Sequence, residues 1–218
     1  MSVSCQIRNY NLLQQKLEDM KKAPRKVMTR LTADAKKRVP GWVAAEVTNV
    51  YGVKKREITG QKIGKVKIKG KKFNQVKIIY TGRVLTPTHF SMTPKVPKPN
   101  RGSYTLKATI INGQRSTLGK VKKLTKKQRA ALVKNFTRSG TQKSDRSPVM
   151  LMRANGGHYL PFQRQSKRRN DIVAVKTVSL PQMVSGERTH DAIQNAINEG
   201  IQKRFEHHMD RYMGNKKG

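Results

Sequence analysis

The sequence has few of the features that cross-link a protein or anchor it in a membrane. Cys5 is the only cysteine, so an internal disulfide is excluded and a reducing compartment is favoured. No apolar run approaches the roughly 20 residues that a membrane-spanning helix needs. The N-terminal residues lack a hydrophobic core followed by a cleavage site, so no secretory signal is predicted. We therefore expect no membrane partner.

Acidic residues are also scarce, and their distribution is uneven. The chain has 48 Lys and Arg against 12 Asp and Glu, which gives a formal net charge of +36. Between Ile58 and Ser144 there are 22 Lys and Arg and no acidic residue at all. Such a charge bears on partners rather than on fold. It is compatible with nucleic acid, an acidic membrane surface or an acidic protein assembly, of which the membrane surface is not predicted to be a partner.

Motifs for catalysis are missing as well. Neither the GxGxxG pattern nor the P-loop pattern occurs. With one cysteine and no acidic residue between 58 and 144, the middle of the chain is expected to form neither a zinc ribbon nor a carboxylate metal site. His207 and His208 are adjacent on a predicted helix and point about 100° apart, so they do not form a paired metal site. The expectation is a protein that is not an enzyme, with no catalytic, cofactor-binding or metal-binding residues.

The clearest element in the sequence is a helix over about 187–213. Its apolar residues recur every four positions, as one stripe of an amphipathic helix does: Ile193, Ile197, Ile201, Phe205 and Met209. Before it, the alternation in 171–180 predicts a β-strand that Pro181 ends. A long helix with one apolar stripe needs a surface to lie on. We expect that surface to be the sheet that contains this strand.

The N-terminal part of the chain is predicted to be helical over about 9–58. Apolar residues fall near helical spacing in 9–37, with a kink or break expected near Pro24. Pro40 and Gly41 predict a second break. A short helix over 42–51 and a short helix or turn over 53–58 follow.

The middle of the chain is predicted to be rich in β-strands over about 63–118 and 148–178. From residue 63 the apolar period shortens to two, and Asn112-Gly113 is a strong signal for a tight hairpin turn. Residues 119–147 are polar and basic, and they predict an insertion with a short helix. The fold class is α+β, with an antiparallel β-sheet packed against N-terminal helices and a long C-terminal helix. We predict a single domain over 1–218.

Four stretches of this pattern match a known arrangement. They are VYGVKKREI (50–58), QVKIIYTGRVLTPTHF (75–90), PVMLMRANGGHYLPFQR (148–164), and VKTVSLPQMV (175–184) followed by the long C-terminal helix. Together they resemble the lambda-type minor tail protein Z family of tailed phages and prophages, the tail completion proteins. The resemblance covers most of the chain, in pattern and short phrases. The segment 119–147 departs from it, being longer and more basic than the family pattern.

The resemblance implies a structural virion protein without a cofactor. Such a protein forms a homo-oligomeric ring, expected to be a hexamer, at the head-proximal end of the tail. The ring makes the tail competent for head–tail joining and DNA passage. Its neighbours would be the tail terminator, tube or neck proteins. Its location would be the tail or neck of the virion, after assembly in the bacterial cytoplasm.

Candidate electrostatic contacts follow from the charge pattern rather than from the resemblance. Lysines alternate along the strand predicted near residue 63, and more basic residues cluster in the loops that follow. The full set is Lys65, Lys67, Lys69, Lys71, Lys72, Lys122, Lys123, Lys126, Lys127, Arg168 and Arg169. These residues suit non-specific contact with DNA phosphates or contact with an acidic protein.

Other functions remain open from the sequence. A ribosomal or other RNA-binding structural protein is the main alternative, because the same lysine-rich loops suit RNA phosphates. Another phage morphogenesis protein of similar build, such as a stopper or terminator, is a third. An enzyme acting on DNA is a fourth, although the sequence contains no recognisable active site.

Overall fold

A computed structural model describes residues 2–5, 24–98, 102–122, 149–154, 157–164 and 171–213. The described helices, numbered in chain order, are α1 (Pro24–Val50), α2 (Lys55–Thr59), α3 (Leu180–Ser185) and α4 (Glu187–Met213). The described strands are β1 (Ser2–Cys5), β2 (Lys65–Lys69), β3 (Lys77–Thr81), β4 (Ser103–Ile111), β5 (Gln114–Lys122), β6 (Val149–Arg153), β7 (Tyr159–Arg164) and β8 (Ile172–Ala174). Short 3-10 helices span Phe73–Gln75 and Pro87–Phe90. The predicted α+β class is confirmed.

The described strands form three antiparallel sheets rather than the one sheet that was predicted. Their orders are β1-β3-β2, β4-β5 and β6-β7-β8. Contacts divide the chain into two compact units. The first unit draws on Met1–Val50, Lys54–Arg83 and Val178–Gly218, and the second on Tyr51–Val53 and Val84–Thr177. The single domain over 1–218 stays a prediction.

The core of the first unit is built on the pairing of α1 with α4. Both helices carry an apolar residue every four positions, so each presents one continuous stripe. On α1 the buried stripe is Val27, Leu31, Ala35, Val39, Val43 and Val47, and on α4 it is Ile193, Ile197, Ile201 and Phe205. The bounds predicted for the C-terminal helix, 187–213, are confirmed.

The break predicted at Pro40 and Gly41 is wrong, because α1 runs through both residues without interruption. A proline inside a helix removes one hydrogen bond and costs about 3 kcal/mol. Here Val39 and Val43 on either side are buried in the stripe that faces α4. Burial of that stripe outweighs the local cost. The described part of α1 starts at Pro24, so the break predicted near Pro24 and the helix predicted before it involve residues outside the described ranges.

The segment before α4 also differs from its prediction. The strand ends at Ala174 rather than at Pro181, because the chain turns from β7 towards another partner. Val175 N still donates to Pro161 O at 2.8 Å, but Thr177 N donates to Leu85 O at 2.8 Å. Pro181 then lies in the first turn of α3, whose N-cap Ser179 forms a reciprocal capping box with Gln182.

The surface that α4 lies on was predicted incorrectly as well. The expected surface was the sheet containing the preceding strand, and that strand is β8 of the second unit. Instead α4 packs on α1 and α3 of the first unit. The other side of α3 contacts β3 and β1, so α3 connects the helix pair with the three-stranded sheet.

The second unit is organised around the long β4–β5 hairpin. Leu106 and Ala108 on β4 are buried, and the 3-10 helix Pro87–Phe90 packs against that strand with Phe90 fully buried. At Gly119, on β5, the backbone lies against Val149 of β6, and an added Cβ would fall 2.4 Å from Val149 Cγ2. Residues 119–122 therefore continue a strand, whereas they were predicted to begin the basic insertion. The rest of that insertion lies outside the described residues.

The crossing of α1 and α4 is close at one point. Gly200 on α4 faces the ring of Trp42 on α1, and a Cβ built at Gly200 would lie 2.6 Å from Trp42 Cη2. Real Cβ atoms do not approach that closely, so glycine at this position lets the indole lie against the backbone of α4.

Replacing Ile197 with Asp is expected to prevent folding. Ile197 is 1% exposed in the α1–α4 contact, and an unpaired carboxylate buried there costs several kcal/mol. That cost is comparable with the whole stability of a typical domain, roughly 5–15 kcal/mol. Asn195→Asp adds the same charge at an exposed position of the same helix and should leave the protein folded. Circular dichroism of both variants checks this, and a folded Ile197→Asp protein would contradict the helix pairing.

Candidate electrostatic site

The largest group of predicted contact residues that the structure describes lies on β2 and the turn after it. Strand β2 is an edge strand, because β3 separates it from β1. Lys65, Lys67 and Lys69 are all exposed and share one face of the sheet, since alternate residues of a strand point the same way. Val66 and Ile68 point to the opposite face.

The turn after β2 brings a fourth lysine onto this face. Gly70 has φ +101°, and a Cβ there would fall 2.0 Å from Gln75 O, so the tight return requires glycine. The chain then enters β3 with Lys77 directly opposite Lys69. Lys77 is exposed as well. We call Lys65, Lys67, Lys69 and Lys77 together the lysine face.

Positive charge on the lysine face is not neutralised within the part of the chain that the structure describes. Among the described residues, no lysine of the face lies within ion-pair distance of a carboxylate. The flanking residues Lys71 and Lys72 are exposed and add to the same sign. Like charges directly opposite each other on two strands destabilise a sheet, and Lys69 and Lys77 are such a pair.

The reverse face of the same sheet is packed along β3, which holds the lysines on a firm support. Ile78 and Tyr80 alternate with Lys77 and Ile79 on β3, and both are almost fully buried. Helix α3 covers this part of the sheet. The outer edge of β2 is partly closed too, because Val66 N donates to the side chain of Gln61 at 3.5 Å.

The remaining predicted contact residues are not gathered on this face by the described structure. Lys122 is the last residue of β5 and belongs to the second unit. Five of the predicted residues, Lys123, Lys126, Lys127, Arg168 and Arg169, lie outside the described residues. Conversely, Lys77 was not predicted as a contact. The sequence signal that could have found it is the register that a tight turn at Gly70 imposes on the two strands.

A second cluster of charged residues lies between α1 and α4. Arg204 Nε donates to Asp34 Oδ2 at 2.5 Å, and His208 Nε2 lies 3.0 Å from the same oxygen. Arg38 Nε is 3.6 Å from Asp34 Oδ1. A carboxylate only accepts hydrogen bonds, so His208 donates through Nε2. Its Nδ1 is buried and has no hydrogen-bond partner among the described residues.

This cluster shifts the pKa of both partners downward. Burial lowers the pKa of His208, and the hydrogen bond to Asp34 offsets only part of that effect. Burial alone would raise the pKa of Asp34, but the hydrogen bonds from Arg204 and His208 outweigh it and hold that pKa below its ordinary value. Because His208 is 5% exposed, its ring is shielded from any substrate in solution. The cluster therefore joins the two helices through side-chain contacts.

The described residues form neither a metal-ligand cluster nor a membrane-spanning helix. Among them, no three His, Cys, Asp or Glu side chains come together as ligands for a metal ion. Of the helices described, none has the length and apolar character needed to cross a bilayer.

The chain matches no protein-family model, no curated protein and no solved structure.

Acid is expected to weaken the first unit through His208. Below about pH 6.5, its ordinary pKa, the unfolded chain takes up a proton that the folded chain binds less tightly, so the free energy of unfolding falls as pH is lowered. Asp34 contributes stability that is present above pH 3.8 and is lost as pH falls through its lower folded pKa. Urea unfolding at a series of pH values measures the dependence. His208→Gln should flatten the limb below pH 6.5, whereas the exposed neighbour variant His207→Gln should retain it. Equal slopes in both variants would contradict the assignment.

Removing the repulsion between Lys69 and Lys77 is expected to stabilise the protein. Lys77→Glu replaces a like-charge cross-strand pair with an opposite-charge pair, so it should stabilise the protein at low salt by at most about 1 kcal/mol. Urea unfolding with and without added salt measures the gain, which salt should reduce. Lys95→Glu, an exposed substitution outside any strand, controls for the lower net charge. The same gain in both variants would argue against the predicted register effect.

Proposed function

We propose that this chain is a structural component of a phage or prophage tail, of the tail completion type. In this role it forms a ring of identical subunits, a hexamer, at the head-proximal end of the tail. The ring makes the tail competent to join the head and to pass DNA. The protein acts without catalysis or a cofactor, and its partners are the neighbouring tail terminator, tube or neck proteins. It resides in the virion after assembly in the bacterial cytoplasm.

The observation that carries the proposal is the lysine face. Four exposed lysines lie on a packed sheet, and within the described residues no carboxylate pairs with them. A structural protein placed beside DNA, or beside acidic neighbours in a particle, has a use for such a face. The family resemblance of the four stretches supplies the particular place in the particle.

The scaffold also suits a structural role. The two long helices bury their stripes against each other, and the charged cluster at their contact ties one helix to the other. The sheet that carries the lysine face is fastened to this helix pair through α3. Such a unit presents charge on a fixed surface, as a component of a repeating assembly requires.

An RNA-binding structural protein is the alternative, and the same exposed lysines support it. Phosphates of RNA and DNA attract lysine equally through charge. The two proposals differ in the particle with which the protein travels in the cell.

Sedimentation of the native protein from its producing cells tests the proposal. The lysate is run at high salt with RNase, so that loose RNA contacts are removed. We expect the protein to travel with tail-like or phage-like particles. We also expect a deletion strain to accumulate heads and tails that do not join, with the infectious titre restored by the wild-type gene.

Two results would overturn the proposal. One is sedimentation with ribosomal subunits, or a shift to the top of the gradient once RNA is digested. The other is a deletion strain that assembles particles and infects normally.

A further inference from the structure

We infer that the lysine face is a docking surface for the sugar–phosphate backbone of double-stranded DNA, contacted without regard to sequence. This inference rests on the proposed function, which puts DNA beside the chain. It goes further in naming the partner of one surface. The proposed function leaves open whether the basic residues meet DNA or an acidic protein.

The spacing of the lysines on β2 matches the spacing of phosphates along a nucleic-acid strand. Lys65, Lys67 and Lys69 alternate along one strand, so their Cα atoms succeed one another at about 6.7 Å. That separation is comparable with the distance between neighbouring phosphates along one strand of a nucleic acid. A row of lysines at this interval on a firm sheet can meet successive phosphates without rearranging the backbone.

The Lys69–Lys77 pair offers a place for an anion. Two ammonium groups placed across neighbouring strands repel each other, and within the described chain no carboxylate lies between them. An anion seated between the two lysines would turn this repulsion into attraction. A phosphate, with several oxygens and a full negative charge, satisfies both at once.

Protection of the sheet edge is the simplest structural explanation for these lysines, and it fits some of them better than others. Lysines on an edge strand commonly protect a sheet from pairing with another chain. That explanation fits Lys65, Lys67 and Lys69, which lie on the edge strand β2. It fits Lys77 less well, because Lys77 is the first residue of the central strand β3 and pairs with Lys69 of the edge strand, while β1 pairs with β3 from Ile78 onward. Positive charge there extends the face inward rather than guarding an edge.

The chemistry of the face favours a duplex over other nucleic acids. Proteins that hold single strands stack bases on aromatic side chains. The other β3 residues on this face are Ile79 and Thr81, which are not aromatic and cannot stack bases in this way. Lysine is a point charge without the planar fork that arginine uses to read base edges. A surface of this kind positions a phosphate backbone and does not read sequence.

Binding of a 20-base-pair duplex of random sequence to the full-length protein tests the inference. A fourfold variant, Lys65→Gln, Lys67→Gln, Lys69→Gln and Lys77→Gln, removes the face. A control variant removes the same charge from exposed helix positions, with Lys26→Gln, Lys37→Gln, Lys203→Gln and Arg211→Gln. Fluorescence anisotropy over a series of salt concentrations gives affinity and salt dependence, and circular dichroism checks that both variants are folded.

We expect the face variant to lose roughly tenfold in affinity near 0.15 M salt, and the control to lose much less. For four lost phosphate contacts, the slope of log Kobs against log salt should become shallower by about 3.6. In a smaller variant, Lys69→Gln with Lys77→Gln, the slope should become shallower by about half as much as in the fourfold variant. It serves in place of the fourfold variant if the latter does not fold.

Duplex RNA of the same length and polyglutamate are the competing ligands. Equal affinities and slopes for face and control variants with DNA would overturn the inference. So would a loss confined to RNA, or a loss confined to polyglutamate, which would assign the face to an acidic protein. Failure here leaves the sedimentation result untouched, and failure of sedimentation leaves the DNA binding measured here intact. The two proposals are therefore tested separately.

Discussion

The first unit depends on two stripes of apolar residues that are far apart in the sequence. Trp42 on α1 and Gly200 on α4 become neighbours only when the two helices pack. Burial of the two stripes supplies the main driving force for folding of this unit. It also outweighs the cost of the proline in the middle of α1. Helix α3 and the three-stranded sheet then attach to the helix pair. The hydrophobic effect is non-directional. The ion pair between Asp34 and Arg204 at this contact is directional, so it helps to fix how the two helices align.

Acidic residues are distributed unevenly among the elements of the same unit. Five of the 12 acidic residues of the chain lie in 187–213, the range of α4. The sheet carries the lysine face, and its own strands contain no Asp or Glu. Because the strands of this sheet contain no carboxylate, and among the described residues no lysine of the face is ion-paired, the field of the sheet is not cancelled locally. A surface of uncancelled charge gains most from a partner that brings the opposite sign in a regular array.

Features that depend on neighbouring residues could be predicted from the sequence, and features that depend on distant residues could not. The period of α4 and the Asn112-Gly113 hairpin are local signals, and both elements formed as expected. Pro40 and Pro181 misled the prediction, because their local preference was weighed without the packing around them. The pairing of Lys77 with Lys69 needed the strand register. The contact of Asp34 with Arg204 joins residues 170 positions apart and leaves no periodic trace.

The close approach of Trp42 to Gly200 has a spectroscopic consequence. Trp42 is the only tryptophan of the chain, so the whole indole emission originates at the crossing of α1 and α4. The emission maximum should shift to longer wavelength when water reaches the ring, as it does when the helices separate. The protein thus carries an intrinsic optical probe at the contact on which its first unit depends.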